Sequence, residues 1–168
     1  MKIGIDMGGN HIGIGLIEED SIIAVKEKNF NSEDKNNLKE VIIKFINKSI
    51  PEILEENNLN ISDIELIGIA SPGTIANGII VKAENLGLKD FDIVNELKKE
   101  YSVPIIIRND AKAAALTEKK YGAMKEYDDC IFLTIGTGIG GAAFLNGKLL
   151  EPKKAAGFEF GHITIERN

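Results

Sequence analysis

One short pattern occurs twice in this chain and limits its fold more than any other feature. Residues 2–6 (KIGID) alternate as a strand, and Met7-Gly8-Gly9-Asn10 turns the chain. Residues 11–17 (HIGIGLI) read as a returning strand, and a second turn at 18–21 leads into a third strand at 22–25. About 130 residues later the order returns. A strand at 130–135 (CIFLTI), a glycine turn at 136–141 and a strand at 142–145 precede Asn146-Gly147, a strong hairpin dipeptide. Two copies of a strand–glycine turn–strand–turn–strand unit predict two related halves.

The stretch between the copies reads as α/β. Leu38, Val41, Ile42, Phe45 and Ile46 fall at helical spacing, with Ser32 or Asp34 as N-cap. Pro51 interrupts that pattern and predicts a kink or a new helical turn. A strand at 64–70 runs into the turn Ser71-Pro72-Gly73, and residues 77–88 read as irregular chain containing one short strand. Ile93, Val94, Leu97 and Tyr101 suggest a second helix. Residues 103–107 form a buried strand ending at Arg108-Asn109-Asp110, and an alanine-rich helix follows to Tyr121, with Gly122 as its C′ residue. The expected organisation is a first domain over 1–122 and the start of a second over 123–168.

With 43% hydrophobic and 27% charged residues, the chain has the composition of a globular protein. No run approaches the roughly 18 apolar residues a membrane helix needs, and nothing at the N-terminus reads as an export signal. A cytoplasmic protein is expected. Cys130, the one cysteine, can form neither an internal disulfide framework nor a four-ligand zinc site, and reads as a small buried strand residue. A net charge of −6 without a Lys/Arg cluster argues against a nucleic-acid partner. A phosphate ligand would have to be met locally, by backbone N–H groups and a metal ion.

Three constellations carry chemistry. The glycine turns bring successive N–H groups close to a phosphate, and Asp6 at the end of the first strand adds a carboxylate for phosphate-bound Mg²⁺. Gly136, Gly138 and Gly141 also satisfy the dinucleotide pattern G-x-G-x-x-G, but that pattern requires a helix next, and the residues that follow form a hairpin. Asn109-Asp110 lies between the carboxyl end of a strand and a helix start, where α/β proteins place ligands; helix capping is the plainer role. A helix N-terminus favours an ionised carboxylate, so Asp110 would act as a base only toward an aligned hydroxyl. Glu159-Phe160-Gly161-His162 follows a turn at Gly157 and could exchange hydrogen bonds with sugar hydroxyls. His11 has no assigned role beyond its nearness to the first glycine turn.

In order along the chain, these residues resemble the ROK family of repressors and kinases. Ile5-Asp6-Met7-Gly8-Gly9-Asn10 resembles its first phosphate motif, D-x-G-G-T. Ser71-Pro72-Gly73 and Glu84-Asn85-Leu86-Gly87 resemble its V-P-G-P and P-N-L-G-W segments. Asn109-Asp110-Ala111 and the alanines after it resemble N-D-A-N-A-A-A-L, residues 134–141 (TIGTGIGG) the second phosphate motif, and Glu159-Phe160-Gly161-His162 the E-x-G-H sugar motif.

The resemblance implies an actin-like ATPase (ribonuclease H-like) fold: a mixed sheet flanked by helices, plus the beginning of a second, related domain. It implies MgATP and a hexose or amino sugar as ligands. Asp110 would be the base on the sugar 6-hydroxyl, with Asn109, Glu159, His162, Gly73 and Asn85 in the sugar site. Asp6, Gly8, Gly9, Asn10, Gly136, Thr137, Gly138 and Gly140 would meet the phosphates, and Asp6 would help position Mg²⁺. Asn10 stands where threonine is usual, and Phe158 where glycine is common. His162 could ligate zinc only in a complete chain supplying the family's cysteine motif. The fragment alone is expected to be inactive, and the full-length form a homodimer. A non-catalytic sugar-binding remnant and a sugar-sensing repressor without its DNA-binding domain are the alternatives.

Overall fold

The computed structural model of the protein describes residues 1–136, 138–151 and 160–164. The chain forms two compact units, Met1–Asn109 and Asp110–Asn168.

The first unit is built on a five-stranded mixed sheet. Strands β1 (Lys2–Met7), β2 (His11–Glu18) and β3 (Ser21–Asn29) form the antiparallel meander read from the sequence. β4 (Leu66–Ser71) pairs parallel with β1. The remaining strands are β5 (Thr74–Ala76), β6 (Ile79–Ala83), β7 (Leu88–Phe91) and β8 (Ile105–Asn109). β8 pairs parallel with β4, giving the order β3-β2-β1-β4-β8. Alternation sets the faces: Ile3, Ile5 and Met7 of β1 and Ile12, Ile14 and Leu16 of β2 are buried. Helix α1 (Leu38–Glu56) lays Ile42, Ile46, Ile50 and Ile53 into the same core. Each such side chain stabilises the fold by roughly 1.5–3 kcal/mol.

Three local features sharpen or depart from the sequence reading. α1 runs through Pro51 as one helix. Proline denies a hydrogen bond one turn back, but Ile50, Ile53 and Leu54 on either side of it are buried, and that packing outweighs the lost bond. The start of this region is tied by Asn31 and Asp34, not Ser32. The Asn31 N–H donates to Asp34 Oδ2 at 3.0 Å and the Asp34 N–H to Asn31 Oδ1 at 2.8 Å, ahead of a 3-10 turn over Asp34–Asn37. Residues 77–88 hold the one short strand expected there, β6, followed by a 3-10 turn over Glu84–Leu86, and β6 is the middle strand of a three-stranded antiparallel sheet, β5-β6-β7. Asn77 and Gly78, both with positive φ, make the β5–β6 turn. Helix α2 (Ile93–Leu97) follows, capped by Asp92 Oδ1, which accepts from the Asn95 N–H at 3.1 Å.

The second unit opens with helix α3 (Asp110–Tyr121), which the sequence grouping attached to 1–122. Its buried face is Ala111 and Ala115, and Ala115 clusters with Met124, Ala142 and Phe144. That small apolar face is why the helix groups with the strands after it. Those strands are β9 (Cys130–Ile135), β10 (Ile139–Leu145) and β11 (Lys148–Leu149), the second meander. Asn146 and Gly147 have positive φ in the β10–β11 turn. Gly122 lacks the positive φ of a left-handed cap. The Glu118 carboxylate folds back there and accepts from the Ala123 N–H at 3.0 Å. Cys130 is half-buried against the cluster. Among the described residues, no helix is long and apolar enough to cross a membrane.

Candidate active site

In the first unit the parallel strands end together. Asp6 of β1 pairs with Ala70 of β4, and Ser71 of β4 pairs with Asn109 of β8. Asp6, Ser71 and Asn109 therefore mark the carboxyl edge of three neighbouring strands, the edge where open α/β sheets bind ligands. The Asp6 side chain is 67% exposed, with His11 Nε2 3.9 Å from Oδ2. Ser71 is fully buried.

The first glycine loop crosses this edge. Residues 8–11 connect the paired positions Met7 and Ile12, and the Gly8 N–H closes the turn on the His11 carbonyl at 2.9 Å. A side chain at Gly8 would run into the His11 imidazole, so that ring lies directly over the loop. Asn85 packs against Gly9, which brings the segment after β6 to the same place. Among the described residues, the N–H groups of Gly9 and Asn10 have no acceptor. Two unclaimed amides beside an exposed carboxylate suit a phosphate accompanied by Mg²⁺, which characteristically takes one or two protein carboxylates and fills its shell from phosphate and water. Asn109 Nδ2 donates to the Gly73 carbonyl at 3.1 Å and so reaches the turn that follows β4.

The second unit carries the other loop. Residues 136–138 connect Ile135 of β9 with its partner Ile139 of β10, one residue fewer than in the first copy. β10 follows the loop directly, so the dinucleotide reading fails, as the hairpin pattern predicts. Gly140 lies against helix α3: a Cβ there would sit 2.9 Å from Ala111 Cβ. Glycine at this position lets the first turn of α3 close onto the hairpin next to the loop. Asp110 is the first residue of that helix, and its Oδ1 accepts from the Ala111 N–H at 2.8 Å. A short 3-10 turn, Phe160–His162, packs on the same hairpin, with Gly161 against the Ile139 carbonyl. Thr137 and Glu159 lie outside the described residues, as does the His162 side chain. Among the described residues, no cluster of three His, Cys, Asp or Glu forms a metal site.

Each unit thus gathers its own share of the expected residues. Asp6, Gly8, Gly9, Asn10, Gly73, Asn85 and Asn109 belong to the first, and Asp110, Gly136, Gly138, Gly140 and the Phe160–His162 turn to the second. One residue the sequence reading passed over also reaches the first loop: Lys35 Nζ donates to Asn10 Oδ1 at 3.3 Å. A lone lysine in a charged segment carries no sequence signal of such a contact.

The sequence profile of the ROK family matches residues 2–168. The chain belongs to the ROK family. A glucokinase of Thermotoga maritima is 34% identical over 169 residues, covering 99% of this ROK chain and 51% of that protein. A xylose repressor of Bacillus subtilis is 32% identical over 169 residues, covering 99% of the chain and 43% of the repressor. Among solved structures, a ROK family glucokinase from Streptomyces griseus in complex with glucose and AMPPNP superposes with a TM-score of 0.79 at 26% identity, covering 98% of this chain and 51% of that one. The fold is the mixed α/β, actin-like ATPase fold of such ROK kinases. The chain spans about half the length of the curated relatives it matches.

Proposed function

We propose that this chain carries the sugar-side and phosphate-loop elements of an ATP-dependent sugar kinase. The reaction moves the γ-phosphoryl of MgATP to the 6-hydroxyl of a hexose such as glucose or an N-acetylhexosamine. One observation carries the reading. Two glycine loops of matched context lie one in each unit, the first beside Asp6 and the second against the helix that begins with Asp110. Glucokinases and a β-glucoside kinase among the relatives support the same reading.

The resemblance to the family's motifs, and the positions of the described residues among them, support the following roles. Asp110 takes the proton of the 6-hydroxyl as that oxygen bonds to phosphorus and the bond from phosphorus to the ADP oxygen breaks. Asn109, Asn85 and Gly73 hold sugar hydroxyls, together with Glu159 and His162. The amides of Gly9 and Asn10, and the loop with Gly136, Thr137 and Gly138, meet phosphate oxygens. Gly140 supports that second loop. Mg²⁺, when bound, neutralises charge on the transferred group, and Asp6 orients it directly or through water. Such a site works by positioning and charge stabilisation. Zinc at His162 belongs to the reading only where further cysteine ligands are supplied.

ADP release measured on the complete gene product against a panel of hexoses and amino sugars tests this. Turnover with at least one sugar is expected; its absence across the panel, with sugar binding intact, would overturn it. The xylose repressors among the relatives favour one second reading, a sugar sensor without phosphoryl transfer. Saturable sugar binding, no ADP release and binding to operator DNA would mark that case.

A further inference from the structure

Lys35 is held at the first glycine loop by a connected set of bonds. The Phe30 N–H donates to the Asn10 carbonyl at 2.8 Å, which ties the exit of β3 to the loop. The reciprocal Asn31–Asp34 bonds then set the start of the Asp34–Asn37 turn. Lys28 Nζ lies 2.9 Å from Asp34 Oδ2. The Asn31 N–H and then Lys28 hold the Asp34 carboxyl below the usual aspartate range, so its charge is already answered. From this fixed turn Lys35 reaches back to Asn10 Oδ1 at 3.3 Å. Among the described residues, Lys35 Nζ has no carboxylate within ion-pair distance, unlike Lys26, Lys28 and Lys82.

We propose that Lys35 is a phosphate-binding residue of this site, its ammonium carried by Asn10 toward the terminal phosphate of the nucleotide. The proposal rests on the kinase reading and adds a residue to it. An ammonium resting on a neutral amide keeps its whole charge for an incoming anion, whereas one in a salt bridge must first give up a carboxylate. Lysine suits the task as a compact point charge on a flexible stem. The chain needs such a charge locally, because its net charge is −6 and Asp6 stands exposed at the same loop. Asparagine at position 10 is what makes the tether: its amide oxygen extends one bond beyond the hydroxyl of a threonine and accepts where Lys35 arrives. The unclaimed Gly9 and Asn10 amides point to the same ligand class.

The test uses the complete gene product and four variants: Lys35→Ala, Lys35→Arg, Asn10→Ala and the double alanine variant. MgATP, MgADP and sugar binding are measured by calorimetry alongside steady-state kinetics. Lys35→Ala should weaken MgATP binding and raise its KM about tenfold, the scale of one charge-assisted contact. MgADP and sugar affinities should move less than about twofold, and Lys35→Arg should recover most of the loss. In the Asn10→Ala background, removing Lys35 should add little, because the tether is already gone. Unchanged MgATP affinity in Lys35→Ala, or equal losses for MgATP and MgADP, would overturn the proposal; additive effects of the two alanine changes would overturn the tether. A wild-type protein that binds MgATP but releases no ADP with any sugar defeats the kinase reading alone, since the Lys35 effect on MgATP binding is still read. A wild type that binds no MgATP defeats both.

Discussion

Asn109 Nδ2 donates to the Gly73 carbonyl at 3.1 Å, so the residue that precedes Asp110 also braces the turn leaving β4. That turn accepts no side chain. Gly73 has φ +89°, and a Cβ there would lie 2.1 Å from the Lys82 carbonyl oxygen, a backbone atom that cannot rotate away.

Gly73→Ala should therefore cost about 2 kcal/mol or more of folding stability, through both positive φ and the clash. Asn109→Asp replaces the donor with an acceptor facing the Gly73 carbonyl and should cost about 1–3 kcal/mol. Sugar affinity should fall with it, because the turn and Asn109 are proposed to share the sugar. Urea denaturation and sugar titration of both variants check this; wild-type stability in Gly73→Ala would contradict it.

Tyr101 sets an alkaline limit on the first unit. It is 7% exposed, and burial first, then the charge of Glu100, pushes its hydroxyl up to about 12 from an ordinary 10.0. The folded state thus holds this proton more tightly than the unfolded chain does. The stability involved is fully present below pH 10 and is lost as pH rises toward 12, on the order of 2 kcal/mol. Tyr101→Phe removes the titrating group. Its stability relative to wild type should improve between pH 8 and pH 12 in paired urea melts, and a gap that does not change with pH would refute the assignment.

Gly140 and Ala111 show how closely the second unit is drawn together. A Cβ on Gly140 would come within 2.9 Å of both Ala111 Cβ and Thr134 Cγ2. Gly140→Val should lift the first turn of α3 from the hairpin, destabilise the second unit by about 1–3 kcal/mol and move Asp110. In the complete gene product, kcat should fall more than sugar affinity. Unchanged kcat would mean that α3 is not positioned by this contact.

Most of the architecture was legible because it rests on periodicity. The alternation of Ile3, Ile5 and Met7 against Ile12, Ile14 and Leu16, and the glycine turns between such strands, define the meanders in both units. Asn146-Gly147 marked its hairpin. Asn77-Gly78 carries the same dipeptide and the same positive φ, yet its strands are too short to set up a readable alternation. Pro51 lies inside one continuous helix, because the buried Ile50 and Ile53 around it hold a turn that proline alone would weaken. In the site, the motif residues were visible as types at spacings. The contacts between distant segments were not: Asn85 on Gly9, Lys35 on Asn10 and Ala111 on Gly140 arise only when strands pair and turns close.

Asp110→Asn is the sharpest test of the proposed chemistry, because the change is nearly isosteric and the local structure has reason to survive it. Asp110 Oδ1 accepts from the Ala111 N–H at 2.8 Å, and an asparagine oxygen can accept the same bond and start the same helix. The amide cannot take a proton from a hydroxyl. In the complete gene product, sugar and MgATP affinities should stay within about threefold of wild type, while kcat falls by roughly 10²–10⁴, the range a positioned base supplies. Calorimetry for binding and single-turnover ADP formation for chemistry separate the two effects. Near-normal turnover would remove Asp110 from the role of base, and a parallel loss of sugar binding would make it a sugar-holding residue instead.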